Sequence, residues 1–267
     1  ATLMFSMRGV DSRKLRDAVA DHPEIYDIDF IPNEFFRPMD NCTMVGFRNQ
    51  IKQAREDGFF IPVERTIFMT GMAEDEWWVN MSRVSGIDAT DPDQYTKGEE
   101  LAIRYNEEIA RYLKKYIPGF ENAYFDRVAP FMGIRETRRL VGEYILTEQD
   151  IFDCAKFDDS IAVSAYPVDQ HHPVGGDCTL MWCPDCHDIP YRSLLPKKID
   201  SLIVAGRCIS ATHLALASVR VMGPAMATGE AAGKAAALSV KYNVQLRDLD
   251  VAALQTALRE EGVYLRD

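Results

Sequence analysis

Residues 202–240 constrain this chain more than any other part of it. Leu202, Ile203, Val204 and Ala205 form an apolar run without alternation, the pattern of a strand buried on both faces. Gly206 ends the run, where backbone can approach another group with no side chain between them. Pro224 suits the first turn of a helix, because its missing N–H is one of the donors left unbonded there. Beyond it, Ala225, Gly229, Ala232, Gly233 and Ala236 recur at helical spacing as a stripe of small residues. That spacing predicts a helix able to lie close against a sheet or a flat ligand. Its first turn would offer free N–H groups and partial positive charge to an anionic or electron-rich partner.

At 267 residues and 47% apolar content, the chain can build a core as one large domain or two small ones. Its net charge of −11 argues against general nucleic-acid binding, which needs a basic face. Arg220, Glu230 and Lys234 interrupt the longest apolar candidate for a membrane span. Six cysteines in a chain of this length are not a small disulfide scaffold, so reduced thiols in a cytoplasmic setting are the default expectation.

Residues 1–10 read as a strand, and Asp11 or Ser12 as the cap of a short helix through Val19. Residues 22–41, with Phe30, Phe35 and Phe36, read as an irregular excursion, and residues 50–57 as a short helix closed by Gly58. Residues 66–70 and 77–84 look like the arms of an antiparallel hairpin. Asp91 and Pro92 open a long helix whose expected buried face is Leu101, Tyr105, Ile109, Tyr112 and Tyr116. Strands are expected at 124–130, 133–139 and 161–168, a helical turn capped by Thr147 with Asp150, and a loop over 170–187. The last helix, over 250–260, carries Val251, Leu254 and Leu258 on one side.

Three places could carry chemistry. Arg135, Glu136, Arg138 and Arg139 concentrate charge where alternation would put Arg135 and Glu136 on opposite faces. An arginine there could orient a polar substrate, or Glu136 could neutralise a structural network. Tyr191 and Arg192, and Arg220, are further polar candidates. The third place is HHPVGGDCTLMWCPDCH over 171–187. Cys178, Cys183, Cys186 and His187 could close a tetrahedral zinc or other metal site, Cys183-x-x-Cys186-His187 fits the c-type haem pattern, and inert thiols in a substrate loop are the third reading. Cys208 reads as a small buried residue.

The runs VAGRCISATH (204–213), ASVRVM (217–222) and GEAAG (229–233) resemble the C-terminal flavin-binding signature of a bacterial FAD-dependent oxidoreductase family with the glutathione-reductase-like fold. NMSRVSGIDATDP (80–92), GIRETRRLVGEYILTE (133–148) and DIPYRSLLP (188–196) extend the resemblance along the whole chain in the same order. It implies FAD as cofactor, held by Gly206, Arg207, Ser218, Val219, Arg220, Met222 and Pro224. It places His213 near the flavin as a proton acceptor, with Arg135 and Tyr191 as substrate-side residues. It implies an α/β fold: residues 1–10 and 188–267 as the C-terminal part of a Rossmann-like FAD domain, and residues 11–187 as an α+β substrate domain with a mostly antiparallel sheet.

The departure is at the N-terminus. Family members begin with a strand, a Gly-x-Gly-x-x-Gly turn and a helix that holds the ADP pyrophosphate, and no such run occurs here. The expected partner is therefore a complementary polypeptide carrying that segment, beside a small-molecule substrate. The expected reaction is hydride transfer between a small polar organic substrate and the flavin. The competing reading is a non-catalytic or metal-bearing partner subunit derived from a flavoprotein.

Overall fold

The computed structural model describes residues 1–25, 32–172 and 178–266. Phe30 of the irregular excursion therefore lies outside the described residues. The chain separates into two compact units, the first built on Ala1–Ile134 and the second on Arg135–His171 with the residues from Cys178 onward. The class is mixed α/β with antiparallel strand pairing.

In the first unit, β1 (Phe5–Arg8), β2 (Thr43–Gly46), β3 (Thr66–Thr70), β4 (Trp77–Val79) and β5 (Tyr124–Val128) form one sheet in the order β2-β3-β4-β1-β5. Every pairing is antiparallel. The β3–β4 hairpin closes by a bond from Gly71 N–H to Glu76 O at 2.7 Å, and the buried Glu76 carboxylate accepts from Met72 N–H at 3.0 Å and pairs with Arg127 at 2.6 Å. Helix α1 (Ser12–Asp21) starts where Asp11 accepts from Lys14 N–H, and α3 (Pro92–Tyr116) where Asp91 accepts from Asp93 and Gln94 N–H. Helix α2 (Arg48–Glu56) ends before Gly58, whose φ of +92° suits glycine. The core gathers Phe5, Met44, Phe68 and Trp77 from the sheet with Leu15, Ile109 and Leu113 from the helices.

Within this sheet β1 lies between β4 and β5, and its alternate apolar residues Phe5 and Met7 are buried in this core. The expected face of α3 is buried at Ile109 and Tyr112, with Tyr105 and Tyr116 partly buried, but it shifts in the first turns to Gly98, Ala102 and Asn106, leaving Leu101 37% exposed. Small residues take the closest contacts: a Cβ on Gly98 would stand 2.8 Å from Ile87.

The second unit has two antiparallel pairs, β6 (Ser160–Ser164) with β9 (His187–Pro190), and β7 (Val168–His171) with β8 (Cys178–Met181). Its helices are α4 (Glu148–Phe152), α5 (His213–Val219), α6 (Met222–Tyr242) and α7 (Val251–Glu260). Thr147 and Asp150 make the expected reciprocal cap of α4. Leu146, Ile161, Ile189, Leu216, Ala231, Ala235, Leu254 and Leu258 form its core.

Four further readings fail in this unit. Of the strand expected over 133–139, only Gly133 makes a bridge, with Thr2, and 134–139 form no strand, so alternation does not govern the arginine cluster. Residues 170–187 are not simply a loop, since β8 and the start of β9 lie within them. Residues 202–205 run extended without a ladder: Val204 N–H bonds to Leu194 O at 3.0 Å, and Leu202 is 42% exposed. The small-residue stripe of α6 is also displaced. The helix buries Pro224, Thr228, Ala231, Ala232, Ala235 and Leu238, while Gly229 and Gly233 have nothing within 4 Å of where a Cβ would stand.

Candidate functional site

Helix α5 organises the polar residues of the second unit. It begins where Thr212 Oγ1 accepts from Ala215 N–H at 3.2 Å and donates to Glu148 Oε2 at 2.7 Å. His213, its first residue, meets Glu136: Nδ1 and Oε2 are 2.5 Å apart. Glu136 is fixed in turn by Arg139, whose Nε lies 3.1 Å from Oε1 and whose guanidinium donates to Ala211 O at 2.6 Å. The imidazole is 62% exposed, and among the described residues its Nε2 has no partner. A carboxylate on Nδ1 selects the tautomer and orientation of the ring, leaving the other nitrogen to exchange a proton.

Arg220 caps the other end of α5, about 10 Å along the helix axis. Its guanidinium donates to Asp169 Oδ2 at 3.0 Å and to Asp169 O at 3.2 Å, with both side chains 14% exposed. Strand alternation puts His171 on the same face as Asp169, and its Nε2 lies 3.2 Å from the same carboxylate oxygen. Ser218 Oγ donates to Tyr166 O at 2.6 Å, which holds α5 to the loop before β7. Burial pushes Asp169 up, but the bond from His171 and the charges of His171, Arg220 and Arg135 outweigh it and hold the carboxyl below its usual range. Burial lowers His171, partly offset by its bond to Asp169 and reinforced by the Arg135 charge. Tyr166 is raised by burial and then by Asp169, against the pull of Arg220 and Arg135. The field of Arg135 thus reaches the Asp169 end of the site while its neighbour Glu136 engages His213, a division an irregular segment permits.

The glycine turn and the start of α6 form the third part. Gly206 has φ +72°, and its N–H donates to Thr228 Oγ1 at 3.0 Å, which ties the turn to the helix. Val221 supplies no side-chain cap, and Ala225 N–H is the first amide of α6 bonded back, to Val221 O at 3.0 Å. Met222 is 82% exposed, Gly223 has open space around it, and Arg207 is exposed. Met226, at 73%, continues this surface one turn on.

The structure does not bring all the expected residues together. Ser218 and Val219 are buried against the core, and Pro224 packs inward, so these three support the site from beneath. Tyr191 is 2% exposed with its hydroxyl donating to Leu246 O at 2.9 Å, and burial pushes its pKa up to about 12. It is a core residue. Arg192 pairs with Asp159 through Nε at 2.9 Å and Nη2 at 3.1 Å. Cys208 is exposed rather than buried.

Cys178, Cys183, Cys186 and His187 do not converge: among the described residues no three His, Cys, Asp or Glu side chains form a metal-binding group. Cys178 sits in β8, Cys183 and Cys186 in the following turn, and His187 points into the core at 0% exposure. Sequence reasoning does not single out Asp169 or Tyr166; the alternation of Asp169 with His171 in an apolar-led strand is the available signal.

No described helix is long and apolar enough to cross a membrane. Comparison with known families matches residues 1–258 to the one described as FAD dependent oxidoreductase. No curated protein and no solved structure matches the chain.

Proposed function

The chain belongs to the FAD dependent oxidoreductase family, and on that premise we propose that it supplies the substrate-side and flavin-side residues of an enzyme moving a hydride between a small polar organic substrate and FAD. The observation that carries this reading is the Glu136–His213 pair, a carboxylate-oriented imidazole with one nitrogen open to solvent. When bound, FAD supplies a two-electron acceptor for hydride. The proton left on the substrate heteroatom passes to His213 Nε2, and Glu136 stabilises the imidazolium that forms. Arg135 and Arg220 set a positive field that orients a polar substrate, with Asp169 limiting its strength.

The start of α6 suits the cofactor. Its open N–H groups at Met222 and Gly223, the exposed Arg207 and the left-handed Gly206 offer donors and room to an electron-rich flat edge. We assign the dinucleotide-binding Gly-x-Gly-x-x-Gly segment to another polypeptide. The exposed Leu202 and the exposed Met222, Met226, Gly229, Gly233 face of α6 support that assignment, since such apolar surface is normally covered. The test is a visible spectrum and intact-mass analysis of the native assembly. Flavin absorption together with a polypeptide bearing the glycine-rich segment is the expected result. A flavin-free assembly would overturn the proposal.

A further inference from the structure

We propose that Arg139 is the positioning residue of the site around α5, holding Glu136 so that His213 keeps its ring proton on Nδ1 and presents a bare Nε2. The proposal rests on reading His213 as the proton acceptor. Arg139 Nε lies 3.1 Å from Glu136 Oε1, and Glu136 Oε2 lies 2.5 Å from His213 Nδ1, so each carboxylate oxygen has its own partner. Arg139 and Glu136 are three residues apart, but their segment is not helical, so no helix turn brings them together. The second contact of Arg139 shows what it is fitted to: Nη1 donates to Ala211 O at 2.6 Å, two residues before His213. One guanidinium therefore grips both the carboxylate and the backbone that carries the imidazole. A planar fork of fixed donors can do this, and a point charge cannot.

The backbone frame around the contact has its own bonds. Leu140 N–H donates to Cys208 O at 2.9 Å, Gly142 N–H to Ser210 Oγ at 3.1 Å, Leu146 N–H to Ser210 O at 3.0 Å and Thr212 N–H to Leu146 O at 2.8 Å. A Cβ on Gly142 would stand 2.7 Å from Ser210 Cβ, so the two segments meet at backbone distance. Thr212 then caps α5. Removing the guanidinium leaves this frame in place and frees the half-buried carboxylate to turn toward solvent. An exposed imidazole without a fixed acceptor at Nδ1 favours the other neutral tautomer, with its proton on Nε2. That form has no lone pair on Nε2 to take a proton from a substrate. Arg139 thus acts through Glu136.

The test labels the histidines of the full chain isotopically and reads each ring by two-bond proton–nitrogen correlation at alkaline pH, where imidazoles are neutral. Among the five histidines, His213 is assigned by the signal lost in His213→Gln. His171 and His187, from the same unit, report whether a variant keeps its fold. The parent is expected to show a protonated Nδ1 and a bare Nε2. Arg139→Met is expected to replace that single tautomer with a mixture rich in the Nε2–H form. Arg139→Lys is expected to lie between, since one ammonium cannot serve Glu136 and Ala211 O together. A parent ring protonated on Nε2, or either variant matching the parent, would overturn the proposal. If Arg139→Met disturbs the His171 and His187 signals, the parent and Arg139→Lys decide.

These spectra need no flavin, so they stand apart from the functional reading. In the flavin-bound assembly, Arg139→Met is expected to lower kcat on the order of 10-fold with KM unchanged, because it misplaces the base without touching substrate. A raised KM with kcat unchanged would overturn the positioning role. A shifted tautomer with unaltered turnover would uphold the hold of Arg139 on the ring and overturn instead the reading of His213 as proton acceptor.

Discussion

His187 should control the acid stability of the second unit. Its ring is fully buried in β9, and among the described residues neither Nδ1 nor Nε2 has a hydrogen-bond partner. Burial, reinforced by the Arg266 charge, lowers its pKa from 6.5 to about 4. A histidine with a depressed folded pKa binds its proton less readily folded than unfolded. Between pH 6.5 and about 4 the unfolded chain therefore holds more protons, and stability falls as pH falls through that window. The gap between the two values is worth about 3 kcal/mol by pH 4, and nothing above pH 6.5. Replacing the ring with Phe or Leu forfeits no hydrogen bond, so His187→Phe and His187→Leu should cost less than about 1.5 kcal/mol at pH 7.5. Urea unfolding of parent and variants at half-unit pH steps isolates the effect, because depressed carboxylates such as Asp169 titrate equally in both. The variants should gain on the parent steadily from pH 6.5 downward. Parallel stability curves over that range would refute the argument.

Glu136→Gln keeps a hydrogen-bonding side chain beside His213 but removes the charge that stabilises an imidazolium. Turnover of the flavin-bound assembly should drop on the order of 100-fold with an altered pH profile, measured by steady-state kinetics. Gly206→Val puts a β-branched residue at φ +72°, a strain on the order of 1–3 kcal/mol at the turn; flavin content by absorbance should fall while circular dichroism shows the first unit intact. Tyr191→Phe leaves Leu246 O without its buried donor and should cost about 1–2 kcal/mol in urea unfolding, with flavin content unchanged. Loss of flavin in that variant would return Tyr191 to the site.

What the sequence revealed of the fold was mostly local. Asp91 and Thr147 each cap a helix as their residue type and spacing predict, and Asp11 does so as one of two candidates with Ser12, because a cap is an interaction within three residues. The β3–β4 hairpin was equally legible from two β-rich runs and a polar turn. Packing over longer range was not. On α3, apolar spacing includes Leu101 and Tyr105 in the core stripe, but Ile87 and Met132 come so close that the small Gly98 and Ala102 are buried on that face instead. Apolar periodicity marks which residues can be buried. It does not register how near the neighbouring element stands, and that distance decides whether large or small side chains face inward.

The same distinction explains the site. His213, Arg135 and Arg220 were visible because they sit in runs resembling a flavin-binding family, yet the resemblance said nothing of their partners. Those come from far along the chain: Glu136 is 77 residues from His213, and Asp169 is 51 from Arg220. A charged residue's role depends on what neutralises it. Arg220 with Asp169 at 3.0 Å is a moderated cation, and His213 with Glu136 at 2.5 Å is an oriented imidazole whose Nε2 has no partner among the described residues. Neither description could be written from either residue alone. The cysteines make the converse case. Cys178, Cys183 and Cys186 are close in sequence and looked like a ligand set, but β8 carries Cys178 away, while the end of α4 delivers Cys154 from 31 residues upstream of Asp185. Proximity in the sequence suggests a metal; in the fold Cys154 Sγ instead accepts from Asp185 N–H at 3.2 Å, a contact that no local spacing announces.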